Sequence, residues 1–134
     1  MNVNTRNALN WGFKKPKGLF VPRVPADAEF ARFWMDVDDN QPNINLAADE
    51  DGVIDHGAGT ISMWYPGGST LTEVIFRWDV PAHFGTIYVV TVGGVVKTSG
   101  SSKFNFATTN PQTFIVMQKA GTSNFKEYVV TMWN

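Results

Sequence analysis

The 134-residue chain contains no cysteine, which removes disulfide staples, thiolate metal ligands and a cysteine nucleophile together. Redox compartment therefore leaves no mark on it. Only two histidines occur, His56 and His83, both in loop-like contexts, so a zinc site of three or four ligands would need both to converge with an acid such as Asp55. No stretch approaches the roughly 20 apolar residues of a membrane-spanning helix. The opening MNVNTRNALNWGFKKPKG has no apolar core of a secretory signal, and no Asn-x-Ser/Thr sequon is present. A soluble protein is expected. Charge is scarce as well: Asp, Glu, Lys and Arg make up 17% of the chain, against about 25% in average soluble domains. That deficit suits a β protein with extensive buried surface, or a subunit that hides surface against partners.

Catalytic and phosphate-binding signatures are also missing. Gly67-Gly68-Ser69 lacks the Gly-x-Ser-x-Gly elbow and reads as a turn after Pro66. Gly57-Ala58-Gly59 carries none of the rest of a nucleotide fingerprint. Asp36, Asp38 and Asn40 match the first three ligand positions of a calcium loop. Gln41 then stands where glycine is needed, and Ala47 where a bidentate glutamate is needed. Asp49, Asp51 and Asp55 read as a solvated acidic loop. No catalytic residue, metal site or cofactor is assigned, and the chain is not expected to be an enzyme.

What is present is a strong segregation of charge. Residues 1–25 hold Arg6, Lys14, Lys15, Lys17 and Arg23 without one acid, whereas residues 26–60 carry nine acids against Arg32 alone. Prolines 16, 22 and 25 with Gly12 and Gly18 make residues 1–25 an extended arm, because proline fixes φ and removes a ladder donor. Yet the arm bears Trp11, Phe13, Leu19, Phe20 and Val21, too apolar a set for a solvated tail. It should lie against something. The candidate partner-binding residues are Trp11, Phe13, Lys14, Lys15, Lys17, Phe20 and Arg23. Cations beside aromatics could also serve nucleic acid, but a whole-chain pI near 6.0 speaks against that partner.

Residues 26–134 form one domain by length. Between Asp27 and Val37, Phe30, Phe33, Trp34 and Val37 fit one helical face. Phe33, Met35 and Val37 equally fit a strand, and the helix is preferred. The acidic region 36–59 reads as a long loop with room for one short strand. From residue 60 the pattern is β, with candidate strands 60–65, 71–80, 86–92, 95–98, 103–107, 112–119 and 125–133. Gly93-Gly94 between two of them signals a tight hairpin, and another is expected across 120–124. The fold class is mainly β: a small antiparallel β-sandwich, immunoglobulin-like or jelly-roll-like, with an N-terminal arm and a place for one short helix. The strands 86–92 and 125–133 are apolar on both faces. Either they are central and covered, or one face meets another subunit. Trp64 and Tyr65, at a strand end before Pro66-Gly67-Gly68, are the candidate glycan-binding platform, against the ordinary use of such rings in a core.

A basic, aromatic arm leading into an acidic segment and a small β-sandwich resembles the layout of small phage capsid decoration and virion accessory proteins. The resemblance covers the architecture of the whole chain. It implies a non-enzymatic virion subunit that binds capsid protein or copies of itself and stabilises the shell through its arm. A carbohydrate-binding or receptor-binding sandwich is the alternative.

Overall fold

In the computed structural model the described residues are 28–82, 86–118 and 125–134. The arm expected at 1–25, with Trp11, Phe13, Lys14, Lys15, Lys17, Phe20 and Arg23, lies outside them, as do His83 and the turn expected across 120–124. In chain order the first elements are β1 (Arg32–Met35), α1 (Val37–Asn40), β2 (Glu50–Asp51), β3 (Val53–Asp55) and β4 (Thr60–Trp64). Then follow β5 (Val74–Ile75), β6 (Arg77–Asp79), β7 (Tyr88–Val92), β8 (Val95–Lys97), β9 (Lys103–Phe104), β10 (Gln112–Gln118) and β11 (Phe125–Trp133).

One layer is a six-stranded sheet in the order β3-β4-β11-β10-β7-β8. Its longest strand, β11, shows why it forms. Tyr128, Val130 and Met132 are buried while Phe125, Glu127, Val129, Thr131 and Trp133 point the other way, the period-two alternation of a strand with one packed face. The facing layer is composite, with β2-β1-β6 at one end and β5-β9 at the other. Both parts share one run of chain, 74–79, whose pairing partner changes from β9 to β1 at Phe76. The expected single strand over 71–80 is therefore interrupted, and the Phe76 carbonyl accepts a hydrogen bond from Gly100 N at 2.9 Å instead of a ladder bond.

Apolar side chains from both layers meet between them. Phe33, Phe76 and Phe114 are wholly buried and Phe104 nearly so, with ring centroids 4.7 Å apart for Phe33–Phe76, 5.5 Å for Phe33–Phe114 and 4.9 Å for Phe104–Phe114. Tilted and edge-on contacts of this kind add to the area that such rings bury. The expected β-sandwich is present.

The preferred helix over 27–37 gives way to the strand reading. Phe33 and Met35 are fully buried and alternate with Arg32 and Trp34, in register with Asp79, Trp78 and Arg77 of β6. The pull of a neighbouring strand outweighs the helical spacing of Phe30, Phe33 and Trp34. The helix that does form, α1, is one turn further on. Its buried Asn40 stitches it to β5: Nδ2 donates to the Asp36 carbonyl at 3.0 Å and the Ile75 carbonyl at 2.9 Å, and Oδ1 accepts from Ile75 N at 2.9 Å.

Two further features depart from expectation. The acidic region contains two short strands, β2 and β3. And although every other pairing among the described strands is antiparallel, β11 runs parallel to β4. No hairpin ties β4 to β11, because the intervening chain crosses to the other layer and back, so a parallel match is free to form. The hairpin at Gly93-Gly94 joins β7 to β8 with φ of 60° and 80°, the left-handed backbone such a turn requires. Among the described residues no helix is long and apolar enough to cross a membrane.

Candidate functional site

The outer face of the six-stranded sheet is where the molecule departs most from an ordinary soluble surface. Alternation sends Phe125, Glu127, Val129, Thr131 and Trp133 of β11 outward, and register aligns neighbours beside them. Thr113, Ile115 and Met117 come from β10, Val89 and Thr91 from β7, Val96 from β8, and Thr60, Ser62 and Trp64 from β4. Ile87 precedes β7 with the same parity and is 64% exposed, Val96 is 61% exposed and Phe125 54%. One end of this face is thus a field of Phe125, Met117, Val89, Ile87, Ile115 and Val96, and the charges among the described outward-facing strand residues are Glu127 and, on the far edge strand β3, Asp55. Among the described residues on the outer face of these strands and their neighbours, Ile87, Val96 and Phe125 are more than half exposed, Val89, Ile115 and Met117 are half-buried, and Thr91 is buried.

The opposite end of the same face is aromatic. Parallel pairing sets Trp133 beside Trp64, and both indoles are open to solvent, at 52% and 38%, while the register-matched Met132 and Met63 one step back are buried. Tyr65 does not share this surface. It is half-buried and packs against the core, and its backbone N–H donates to the Trp133 carbonyl at 2.9 Å. The neighbour of Trp64 on the open face is therefore Trp133, which the sequence could not pair with it, because 68 residues separate the two. A cleft of about 240 Å³ opens beside Trp64, bordered by Pro66 and by the loop that carries Asn45 to Glu50.

The acidic segment is wired into the domain itself. Arg77 donates to both Asp39 oxygens, at 2.6 and 2.9 Å, with Asp36 3.4 Å away. The Arg77 hydrogen bonds hold the Asp39 carboxyl below the usual carboxylate range, and Asp39 in turn raises the Arg77 guanidinium. Asp36 moves the other way, raised first by burial and then by its hydrogen bond to Asp49. Asp49 also accepts from Val37 N at 2.9 Å, Asp51 pairs with Arg32 at 2.9 Å, and Asp55 caps Ala58 N at 3.0 Å. Much of the negative charge of the acidic segment is thus engaged inside the chain.

His56 is also tethered. Its Nδ1 lies 2.8 Å from the Tyr128 hydroxyl and 3.8 Å from a carboxylate oxygen of the buried Glu29, which fastens the start of the described chain to the turn before β4. Asp55, the acid considered with it, is turned towards Ala58. No group of three histidine, aspartate or glutamate side chains among the described residues is placed to hold a metal ion. A second cleft, about 290 Å³, carries Lys97 and Lys103 beside Asn105 and Gln112, and the amide of Gln112 is spent on the Asn105 and Thr109 carbonyls.

No family model matches the chain, and neither a curated protein nor a solved structure does.

Proposed function

We propose that this protein is a non-enzymatic structural subunit, a virion decoration or stabilising protein, that joins capsid protein or copies of itself through the apolar end of its six-stranded sheet and its N-terminal arm. The observation that carries the reading is the outward cluster of Phe125, Ile87 and Val96 around Met117 and Val89. A soluble monomer rarely keeps a contiguous apolar sheet face in water, because each Å² buried against a partner is worth about 25 cal/mol. The arm adds a second apolar element with Trp11, Phe13 and Phe20, and its net charge of +5 would steer approach more than it would strengthen the bound state. The virion setting rests on the resemblance of the whole layout to capsid decoration proteins.

The test is sedimentation velocity of the full chain over a concentration series, beside an Ile87→Lys/Val96→Lys variant and a deletion of residues 1–25. Both positions are exposed, so the double variant should melt like the native chain yet lose self-association or binding to isolated capsids. A native chain that stays monomeric at every concentration and does not sediment with capsids would remove the reading.

A further inference from the structure

We propose that the Trp64–Trp133 end of the sheet, with the cleft beside it, binds a neutral, hydroxyl-rich carbohydrate chain. This site is separate from the apolar field at the other end of the face and does not depend on it. Between the two lie Thr60, Ser62, Thr131 and Thr113, small hydroxyl side chains around the single apolar Val129, which set the two ends apart.

The geometry begins with the register. Adjacent strands lie about 4.8 Å apart, so Trp133 and Trp64, matched in a parallel pair and both exposed on the outer side, stand as two neighbouring indoles on one face. Their exposure is enforced by the pleat: Met132 and Met63 occupy the inner positions, and exchanging the faces would require the whole of β4 and β11 to slip by one residue. Each wet indole offers a flat apolar area with an N–H donor on its rim. A pyranose ring is the complementary shape, because one of its faces is a patch of C–H groups while its edge is lined with hydroxyls.

The cleft supplies what stacking alone lacks. Its volume of about 240 Å³ falls below the roughly 300 to 1,000 Å³ of drug-sized pockets and suits a single sugar ring. Trp64, Pro66 and Leu46 give it apolar walls, Ala48 leaves room, and Asn45 and Glu50 bring a side-chain amide and a carboxylate for hydroxyl groups. Charge selects among sugars. The lining holds Asp49 and Glu50 and no lysine or arginine, so sulfated, sialylated or uronic chains are repelled and neutral ones admitted. Along the strands, the Ser62–Thr131 pair one step beyond the two rings continues the surface with hydroxyls that can meet a second sugar unit.

The experiment titrates the full chain with neutral hexasaccharides (cello-, manno-, xylo- and chito-oligomers) and with a heparin hexasaccharide, followed by indole fluorescence and calorimetry. At least one neutral oligomer should bind and perturb the fluorescence, and the heparin oligomer should not. Trp64→Ala and Trp133→Ala should each weaken binding roughly tenfold to a hundredfold, the range that loss of one stacked ring produces. Their melting temperatures should stay unchanged. Glu50→Gln should weaken binding and Ile87→Lys/Val96→Lys should not, which separates this site from the assembly surface. Absence of binding by every neutral oligomer would overturn the proposal. So would binding that survives the double tryptophan variant, or a change of sedimentation coefficient in that variant, which would assign the indoles to a protein interface.

Discussion

Replacing Phe76 with alanine probes the joint on which the second layer turns. The ring is fully buried and has Phe33, Phe104, Phe106 and Phe114 as neighbours, with centroids between 4.7 and 5.9 Å. Truncation withdraws roughly 150 Å² of buried apolar surface, which at about 25 cal/mol per Å² is about 4 kcal/mol. That figure sits inside the roughly 3 to 5 kcal/mol found for buried phenylalanine, where the cavity left behind adds to the transfer loss. Domains of this kind are stable by about 5 to 15 kcal/mol, so the variant keeps a folded population but loses a large part of its margin. With a urea slope near 2 kcal/mol per M, the unfolding midpoint should fall by about 2 M. Phe76→Leu, which retains most of the volume, should lose well under half as much. Val96→Ala, on the exposed edge strand, should change stability by no more than about 0.5 kcal/mol. Urea melts followed by tryptophan fluorescence measure all three. A loss below about 1 kcal/mol for Phe76→Ala would mean that the ring does not occupy the core and that the 74–79 segment is placed one residue out of register.

Further outcomes follow from the polar contacts and turns. Asn40→Ala should cost about 1 to 3 kcal/mol for each backbone group of Ile75 that it strands, and Asn40→Asp should fare no better at neutral pH because a carboxylate cannot donate to the carbonyls. Urea unfolding would expose the error if both variants matched the native chain. Asp39 has a folded pKa below its ordinary 3.8, so its stabilisation is fully present above 3.8 and lost as pH falls through the lowered value. Asp36 has a folded pKa above 3.8, so its carboxylate opposes folding at neutral pH, and that penalty fades as pH falls through the raised value. Thermal melts from pH 3 to 8 should therefore show Asp39→Asn destabilised at neutral pH, with the gap closing in acid. Asp36→Asn should be equal to or more stable than the native chain at pH 7, and equal losses for the two variants would contradict the assignment. Gly59→Ala should destabilise by more than Gly68→Ala. Both have positive φ, 69° and 83°, which costs an L-residue about 1 to 2 kcal/mol, but only at Gly59 would a Cβ meet backbone, 2.9 Å from the Glu127 carbonyl. Equal losses in thermal melts would show that the turn before β4 does not press on β11.

The strands were legible in the sequence because alternation is a local property. The segments at 60–65, 86–92, 95–98, 112–119 and 125–133 reappear within a residue or two as β4, β7, β8, β10 and β11, and Gly93-Gly94 makes the hairpin between β7 and β8. The glycine pair needs only its own backbone freedom to do so. Helical and strand spacing coincide over Phe30 to Val37, and there the decision came from outside the segment, from β6 pairing with β1. Arg77 and the aspartates were visible as charges, yet their mutual pairing was not, since Arg77 and Asp39 lie 38 positions apart. The same holds for the outer face. Composition shows two strands apolar on both sides, but which side is covered depends on the layer packed against them, and Trp64 acquires Trp133 as a neighbour only through a parallel match of distant strands. Residue type and period settle which segments become strands. Which strands become neighbours is settled by the burial of one shared core, and the candidate surfaces are what that burial leaves outside.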